Sequence, residues 1–332
     1  MVAMGGLSTF FGRGEAAAPQ PPRRVAPGET ADALDLLLTF DGHPPEADHL
    51  RHFTQFAAER GIDLGEIWVV PRGKRLIAAC LPVLAAGRSG LILSSMPGND
   101  PALARVAAGC CEAAAGSLGP RTSMLQMLLE PAERHFAEAL SLSGFSRLAT
   151  LIYLQKSVRV PESACPLRDY KLARYGPATH ERFARVIDAT YAGSLDCPAL
   201  HGRRDIEDVI AGHMSSGAFD PNLWFVLGDG KTDLGVLLLA PLPGQETMEI
   251  VYIGLVPAAR GRRLGDLLVE FADRETARHG EKHLTLAVDA ENAPALRLYY
   301  RHGFGELQQR VALVRFTDAA KDVAPNGANR RQ

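Results

Sequence analysis

The chain has 332 residues, of which 46% are hydrophobic and 22% are charged, and its formal net charge is −2. This balance is typical of a globular protein with room for two domains, and without a basic excess we expect no nucleic acid partner. The five cysteines show no metal-binding spacing, so we expect no metal, and their odd number indicates reduced thiols in a cytoplasmic protein. We find neither a secretion signal nor an apolar stretch long enough to span a membrane, and we expect no membrane partner.

The two ends of the chain differ in composition from the part between them. Residues 1–30 and 318–332 are rich in small residues, proline and arginine, and we predict that they lack fixed structure. Residues 31–158 and 167–316 show the alternating strand and helix patterns of two α/β units.

The second unit contains the stretch with the clearest chemical signal, from Glu249 to His279. Ile250–Val256 is a short apolar run rich in β-branched residues, which predicts a buried strand that ends at Pro257. A basic turn containing glycine follows, and leucines at helical spacing then predict a helix that ends at Gly280. Unpaired N–H groups and the helix dipole favour an anion at such a helix start, and a pyrophosphate fits there.

A second pattern follows the predicted strand Leu284–Asp289. Asn292 is a good N-cap, Pro294 is tolerated in a first helical turn, and Gly303 is a typical residue just after a helix. Considered alone, Asn292 can be a plain helix cap and Tyr299 can be a core residue on an amphipathic face.

Together these two patterns resemble the GNAT acetyltransferase family. Its turn motif is Gln/Arg-x-x-Gly-x-Gly/Ala, and here Arg260 and Gly265 fill the first and last positions while Arg263 stands in place of the central glycine. The second family motif is Asn-x-x-Ala-x-x-Leu-Tyr-x-x-x-Gly-Phe, and residues 292–304 match each named position. The resemblance implies a mixed α/β sheet with flanking helices and acetyl-CoA as co-substrate. The residues that it places at acetyl-CoA are Leu255, Val256, Arg260, Gly261, Arg262, Arg263, Leu264, Gly265, Asp266 and Asn292.

Catalytic roles follow from the chemistry of acetyl transfer to an amine. The amine must lose a proton before it attacks, and Glu249 is the candidate base because burial at a strand start raises the pKa of a carboxyl group. Its alternative role is a strand-end charge that faces solvent. In the family a backbone N–H near Leu255 donates to the developing oxyanion, and the position of Tyr299 makes it the candidate acid for the departing thiolate.

The first unit is a faint copy of the second without this chemistry. Gly144-Phe145 precedes Gly303-Phe304 by 159 residues, and a strand pattern follows each pair. At the positions of Asn292 and Tyr299 the first unit has Glu133 and Leu140, and its turn, 96–101, has no arginine. We therefore predict two tandem GNAT-like domains, similar to those of the mycothiol synthases, with a degenerate N-terminal copy and one active site.

The acceptor is less well defined by the sequence than the donor. In GNAT proteins the segment between the first two helices lies over the acceptor, and here that segment is 192–208. Its candidate residues are Asp196, Cys197, His201, Arg203 and Arg204. A small-molecule amine and a peptide N-terminus both remain open as acceptors. A non-catalytic acyl-CoA-binding regulatory protein and a FemX-like aminoacyl transferase are the alternative functions.

Overall fold

The computed structural model describes residues 17–39, 42–158 and 167–317. Within these ranges the chain forms twelve strands and eight α-helices. The strands are β1 (Arg23–Arg24), β2 (Trp68–Arg72), β3 (Arg75–Ala85), β4 (Ser89–Ser94), β5 (Met124–Leu129), β6 (Ser146–Ser157), β7 (Lys171–Arg174), β8 (Trp224–Gly228), β9 (Asp233–Leu242), β10 (Thr247–Leu255), β11 (His283–Asp289) and β12 (Gly305–Phe316). The helices are α1 (Thr30–Leu38), α2 (Ala47–Glu59), α3 (Pro101–Leu118), α4 (Arg134–Leu142), α5 (His180–Tyr191), α6 (Ile206–Met214), α7 (Leu264–Arg278) and α8 (Ala293–Arg301).

All twelve strands belong to one sheet, in the order β1-β2-β3-β4-β5-β12-β6-β11-β10-β9-β8-β7. The expected mixed α/β sheet with flanking helices is confirmed. The strand order is symmetric about its centre, as the internal repeat predicts. However, the last strand of each half pairs within the sheet of the other half. Strand β12 pairs with β5, and β6 pairs with β11, so neither half closes its own sheet.

Helices cover both faces of the sheet because successive strand residues point to opposite sides. On β3, Ala78 and Cys80 pack beneath α3 and α4, while Ala79 and Leu81 pack with α1. On β10, Met248 packs beneath α7 and α8, whereas Val251 packs with α5 and α6. Among the described residues, no helix is long and apolar enough to cross a membrane.

The feature that positions the site is a separation of two neighbouring strands. Strand β10 pairs with β9 along its whole length, Thr247–Leu255, but it pairs with β11 only over Thr247–Glu249. An irregularity in the β9 ladder lies between Ile250 and Tyr252, where β10 turns away from β11. The two strands therefore open into a wedge from Ile250 onward.

Residues 17–30 correct one expectation from the sequence. They were predicted to lack fixed structure, but β1 pairs with β2 and the Gln20 N–H donates to the Pro71 carbonyl at 2.8 Å. Arg23 also forms two hydrogen bonds to the Glu29 carboxylate, at 2.7 and 2.8 Å. Composition alone missed this pairing because an extended segment needs little more than an open sheet edge to bind. Residues 1–16 and 318–332 lie outside the described residues.

Candidate functional site

A groove of about 230 Å³ occupies the wedge between β10 and β11. Its walls are the diverging strands, the end of α5 with the loop that follows it, and the first turn of α8. Its lining includes Ile250–Leu255, 286–288, Thr190, 193–196, Arg260, Asn292, Pro294, Ala295 and Tyr299.

The backbone of β10 supplies polar groups to this groove. The Val256 N–H donates to the Leu234 carbonyl on β9 at 3.0 Å, so Val256 turns away from the groove and does not line it. Because backbone groups alternate along a strand, the N–H groups of Ile253 and Leu255 face the wedge instead. Leu255 therefore lines the groove and Val256 does not, and the contacts of both residues with acetyl-CoA stay predictions.

The basic turn leads into α7 as the sequence predicts. Gly261 and Arg263 both adopt positive φ, 73° and 59°, and the first N–H groups of α7 have no partner within the helix. The Arg263 side chain is 84% exposed, and its Nε lies 3.9 Å from the Asp266 carboxylate. This arginine thus adopts the left-handed conformation that a glycine favours, while its charged group extends into solvent.

Arg260 has a different role from the one its motif position predicted. Its guanidinium donates to three carbonyl oxygens, those of Leu255 at 3.1 Å, Gly193 at 3.0 Å and Thr190 at 2.8 Å. Because these bonds use Nε and both terminal nitrogens, Arg260 joins β10 to the end of α5 and forms the wall of the groove. Three of its five N–H groups are therefore engaged by the protein, and its contact with phosphate stays a prediction.

Asp266 is likewise committed to the protein. Its carboxylate accepts hydrogen bonds from Arg301 at 2.7 Å and from His302 at 3.0 Å, and its N–H donates to the Arg263 carbonyl at 3.2 Å. Burial raises the pKa of Asp266, but these hydrogen bonds outweigh burial and the net pKa is lowered. The carboxylate therefore stays charged and stabilises the start of α7, where a negative charge is favourable.

The other predicted cofactor residues shape the site by packing. Leu264 is buried in the core beneath α7, and a Cβ on Gly265 would lie 3.0 Å from the Leu298 side chain on α8. Asn292 caps α8, since its side-chain oxygen accepts the Ala295 N–H at 3.3 Å, and it also lines the groove. Asn292 is therefore a helix cap, and its contact with acetyl-CoA stays a prediction.

Tyr299 reaches the groove from α8. Its ring is 5% exposed and packs edge-on against Phe304, with the ring centroids 5.6 Å apart. Burial raises the pKa of Tyr299, and the nearby Asp196 and Tyr252 raise it further. The hydroxyl is therefore held in its protonated form, which is the form that an acid needs.

Glu249 lies just before the part of β10 that lines the groove and does not line it. Its carboxylate accepts a hydrogen bond from the Ser216 hydroxyl at 3.4 Å. Burial raises the pKa of Glu249, and the Ser216 bond opposes that rise. Burial raises the pKa of Tyr153 on β6, and the charge of Glu249 raises it further, so the exchanged strand from the first half contributes to the surroundings of Glu249.

The loop after α5 brings together most of the predicted acceptor residues. A second cavity, of about 200 Å³, is lined by Cys197, His201 and Arg204, and it shares Asp196 with the groove. Arg203 lies elsewhere, with its guanidinium 4.7 Å from the centre of the Phe316 ring. Burial raises the pKa of Cys197 to about 12, with Asp196 and Asp289 adding to the effect, so its sulfur stays a thiol rather than a nucleophile.

Sequence reasoning missed several residues of this region. Tyr252 bonds to the Thr190 hydroxyl at 2.8 Å, and a Cβ on Gly254 would lie 2.8 Å from Thr190. His213 stacks on Tyr252 with centroids 5.2 Å apart. The glycine within an apolar strand was the one available signal, because such a glycine often marks a close approach of another element.

The equivalent region of the first half carries a buried carboxylate. Glu133 is 8% exposed, and one of its oxygens accepts the Gly98 N–H at 3.2 Å. Burial raises the pKa of Glu133. Leu140, at the position equivalent to Tyr299, lies in the core and supplies no hydroxyl.

These features define a class of site: an opened strand pair beside the start of a helix, suited to an extended ligand that carries phosphate. The fold is similar to that of a GCN5-related N-acetyltransferase from Sphaerobacter thermophilus, with a TM-score of 0.60, 16% identity, and coverage of 89% of this chain and 95% of that one. Residues 193–304 match the family model described as Acetyltransferase (GNAT) family. Residues 193–304 therefore resemble a GNAT acetyltransferase domain, and the match covers about a third of the chain.

Two curated relatives share one name. A protein named mycothiol acetyltransferase from Mycolicibacterium paratuberculosis is 31% identical over 192 residues, which cover 53% of this chain and 58% of that protein. A protein of the same name from Beutenbergia cavernae is 38% identical over 87 residues, which cover 26% of this chain and 29% of that protein. The chain thus matches less than two thirds of the length of these relatives.

Proposed function

We propose that this protein transfers an acetyl group from acetyl-CoA to a primary amine, at one site in its C-terminal half. The observation that carries the proposal is the wedge between β10 and β11, with Tyr299 buried in its wall and the helix start of α7 nearby. The equivalent region of the first half has Glu133 and Leu140 instead, so we assign no second site.

The residues present fit acetyl-CoA. The free backbone edge of β10, with the N–H groups of Ile253 and Leu255, is suited to the amide groups of an extended chain. Gly261–Gly265 supply N–H groups for phosphates, and the exposed side chains of Arg262 and Arg263 add positive charge beside them.

The proposed reaction is direct attack. The amine nitrogen forms a bond to the acetyl carbon, the carbon–sulfur bond breaks, and the proton of the amine passes to Glu249. Because Glu249 does not line the groove, we infer that this proton travels through water. Tyr299 gives its proton to the departing thiolate, and the Leu255 N–H donates to the oxygen on which negative charge develops.

For the acceptor we propose a small molecule or a peptide N-terminus with a primary amine. The relatives named mycothiol acetyltransferase make a cysteinyl amine the first compound to test. The full chain would be mixed with acetyl-CoA and each amine of a panel. The release of the CoA thiol and the mass of the acetylated product would then be measured. Amine-dependent thiol release supports the proposal. Acetyl-CoA binding without transfer to any amine in the panel would favour a non-catalytic acyl-CoA-binding protein.

A further inference from the structure

One wall of the groove is formed by the loop that follows α5. Residues 193–196 line the groove together with Tyr299, and we call these four loop residues the loop wall. Burial raises the pKa of Tyr299, and the charge of Asp196 raises it further. The loop wall therefore lies beside the hydroxyl that we expect to act as the acid.

The loop wall is held at its near end by contacts within the second half. The Gly193 carbonyl accepts a hydrogen bond from Arg260 at 3.0 Å, and the Asp196 carboxylate accepts one from the Asp289 N–H at 3.2 Å. Beyond Asp196 the chain continues to the start of α6 at Ile206. The position of α6 therefore limits where the far end of this loop can lie.

The first half contacts α6 through the turn between β3 and β4. In that turn the Nε and Nη2 of Arg88 donate to Oδ2 of Asp208 on α6, at 2.9 and 2.7 Å. The Asp208 side chain is 15% exposed and that of Arg88 is 45% exposed, so water screens this ion pair less than one on an open surface. A Cβ on Gly87 would lie 1.9 Å from the Asp208 carbonyl oxygen, so the backbone of the turn also lies against α6.

Both residues of this ion pair are anchored in their own half. Arg88 has a φ of 47°, an unusual value for a residue with a side chain, and its carbonyl accepts the Ser123 N–H at 2.6 Å. Such a conformation persists where the surrounding structure holds it. The Asp208 carbonyl accepts a hydrogen bond from Arg204 at 3.0 Å. The pair thus connects the sheet of the first half to the segment that leads from the loop wall into α6.

From these contacts we infer that Arg88 is a positioning residue for acetyl transfer. Through Asp208 it fixes α6 and the segment before it, and it thereby holds the loop wall beside the reacting acetyl group. The first half, which lacks the residues of a donor site, thus takes part in the reaction of the second half. In the proposed function acetyl-CoA is bound by β10 and the start of α7, which do not belong to the loop wall. Arg88 therefore affects the attack of the amine rather than the binding of acetyl-CoA, and the inference rests on the proposed function for that step.

The test compares the full chain with its Arg88→Met variant in two measurements. Hydrogen exchange of the backbone amides, measured with CoA bound, requires no acetyl transfer. We expect exchange in residues 193–208 to be roughly 3- to 30-fold faster in the variant, because loss of a partly shielded ion pair makes local opening easier. Exchange in β10 and α7 should be unchanged. Steady-state kinetics should show kcat/KM for the amine lowered by a similar factor, while the Kd of acetyl-CoA changes by less than about twofold.

Further variants separate positioning from a general loss of stability. Arg88→Lys keeps the charge and should recover part of the exchange protection and part of the rate. Asp208→Asn should reproduce the effects of Arg88→Met, and the double variant should show no further loss, because both changes remove the same ion pair. Arg51→Met is the matched control, since Arg51 pairs with the exposed Asp48 elsewhere in the first half, and it should leave both measurements unchanged.

Unchanged exchange in residues 193–208, or an unchanged kcat/KM for an amine that is acetylated, would overturn the inference. Faster exchange throughout the second half together with weaker acetyl-CoA binding would also overturn it, because a residue with a merely structural role gives that result. If no amine is acetylated, the proposed function fails, and exchange in residues 193–208 still decides whether Arg88 holds the loop wall.

Discussion

Substitutions at Arg263 separate the effect of its strained backbone from the effect of its positive charge. Its φ of 59° lies in the left-handed region, which costs a residue with a side chain about 1–2 kcal/mol relative to the usual helical region. Its charge is 84% exposed, and its nearest partner, Asp266, is 3.9 Å away. Arg263→Gly removes both the strain and the charge, whereas Arg263→Ala removes the charge and keeps the strain.

We expect the glycine variant to be more stable than the alanine variant by roughly 1 kcal/mol, less the larger chain entropy of glycine in the unfolded state. Both variants should bind CoA about two- to fivefold less tightly than the original chain at low salt, because an exposed ion pair contributes only about 0.5–1 kcal/mol. The loss should shrink as salt screens the charge. Urea unfolding measures the difference in stability, and calorimetry at two salt concentrations measures the change in CoA affinity.

Tighter CoA binding by the glycine variant than by the original chain would refute this reasoning. That result would mean that the Arg263 side chain obstructs the phosphates. Equal stability of the two variants would show that the backbone at this position is not strained.

Three further substitutions test other parts of the account. Tyr299→Phe should lower turnover by roughly 10- to 1000-fold with CoA affinity nearly unchanged, and unchanged turnover would remove Tyr299 from the mechanism. Glu249→Gln should depress the rate most above the pKa of Glu249 and below that of the amine, and high pH should partly restore it because free amine is then abundant. The carboxylate is the active form and burial raises its pKa, so a mutant that keeps the acidic limb of the pH–rate profile would indicate another base. Gly87→Ala places a Cβ 1.9 Å from the Asp208 carbonyl, and it should cost roughly 1–3 kcal/mol more stability than Gly61→Ala, which meets no atom at a similar φ. Equal losses, measured by urea unfolding, would show that this contact between the halves is not tight.

Local patterns predicted much of the donor side of the site. The strand at Ile250, the turn at Gly261 and the cap at Asn292 each depend on neighbouring residues, and the structure has all three. The repeat predicted the symmetric order of elements. The exchange of β6 and β12 was not predictable, because pairing between distant strands depends on the whole sheet rather than on any local pattern.

The hydrogen-bond partners of Arg260 and Asp266 also could not be predicted from the sequence motif. A motif gives the position of a side chain in the sequence but not the carbonyls or cations that surround it in the fold. Arg260 donates hydrogen bonds to the carbonyl groups of Thr190 and Gly193, which lie about 70 positions away in the sequence. The second cavity depends in the same way on His213 and Tyr252, whose contact no spacing rule indicates.

The number of acetyl-CoA molecules bound per chain tests the central claim most directly, because it asks whether the wedge of the second half is the one donor site. Calorimetry of the full chain should give a stoichiometry of about one. Gly265→Glu should abolish binding, because its side chain at the start of α7 would meet Leu298 of α8 and add a negative charge beside the phosphates. Gly109→Glu, in a helix of the first half where a Cβ would meet no atom within 4 Å, is the control and should bind normally. A stoichiometry of two, or binding by a folded Gly265→Glu variant, would contradict the account.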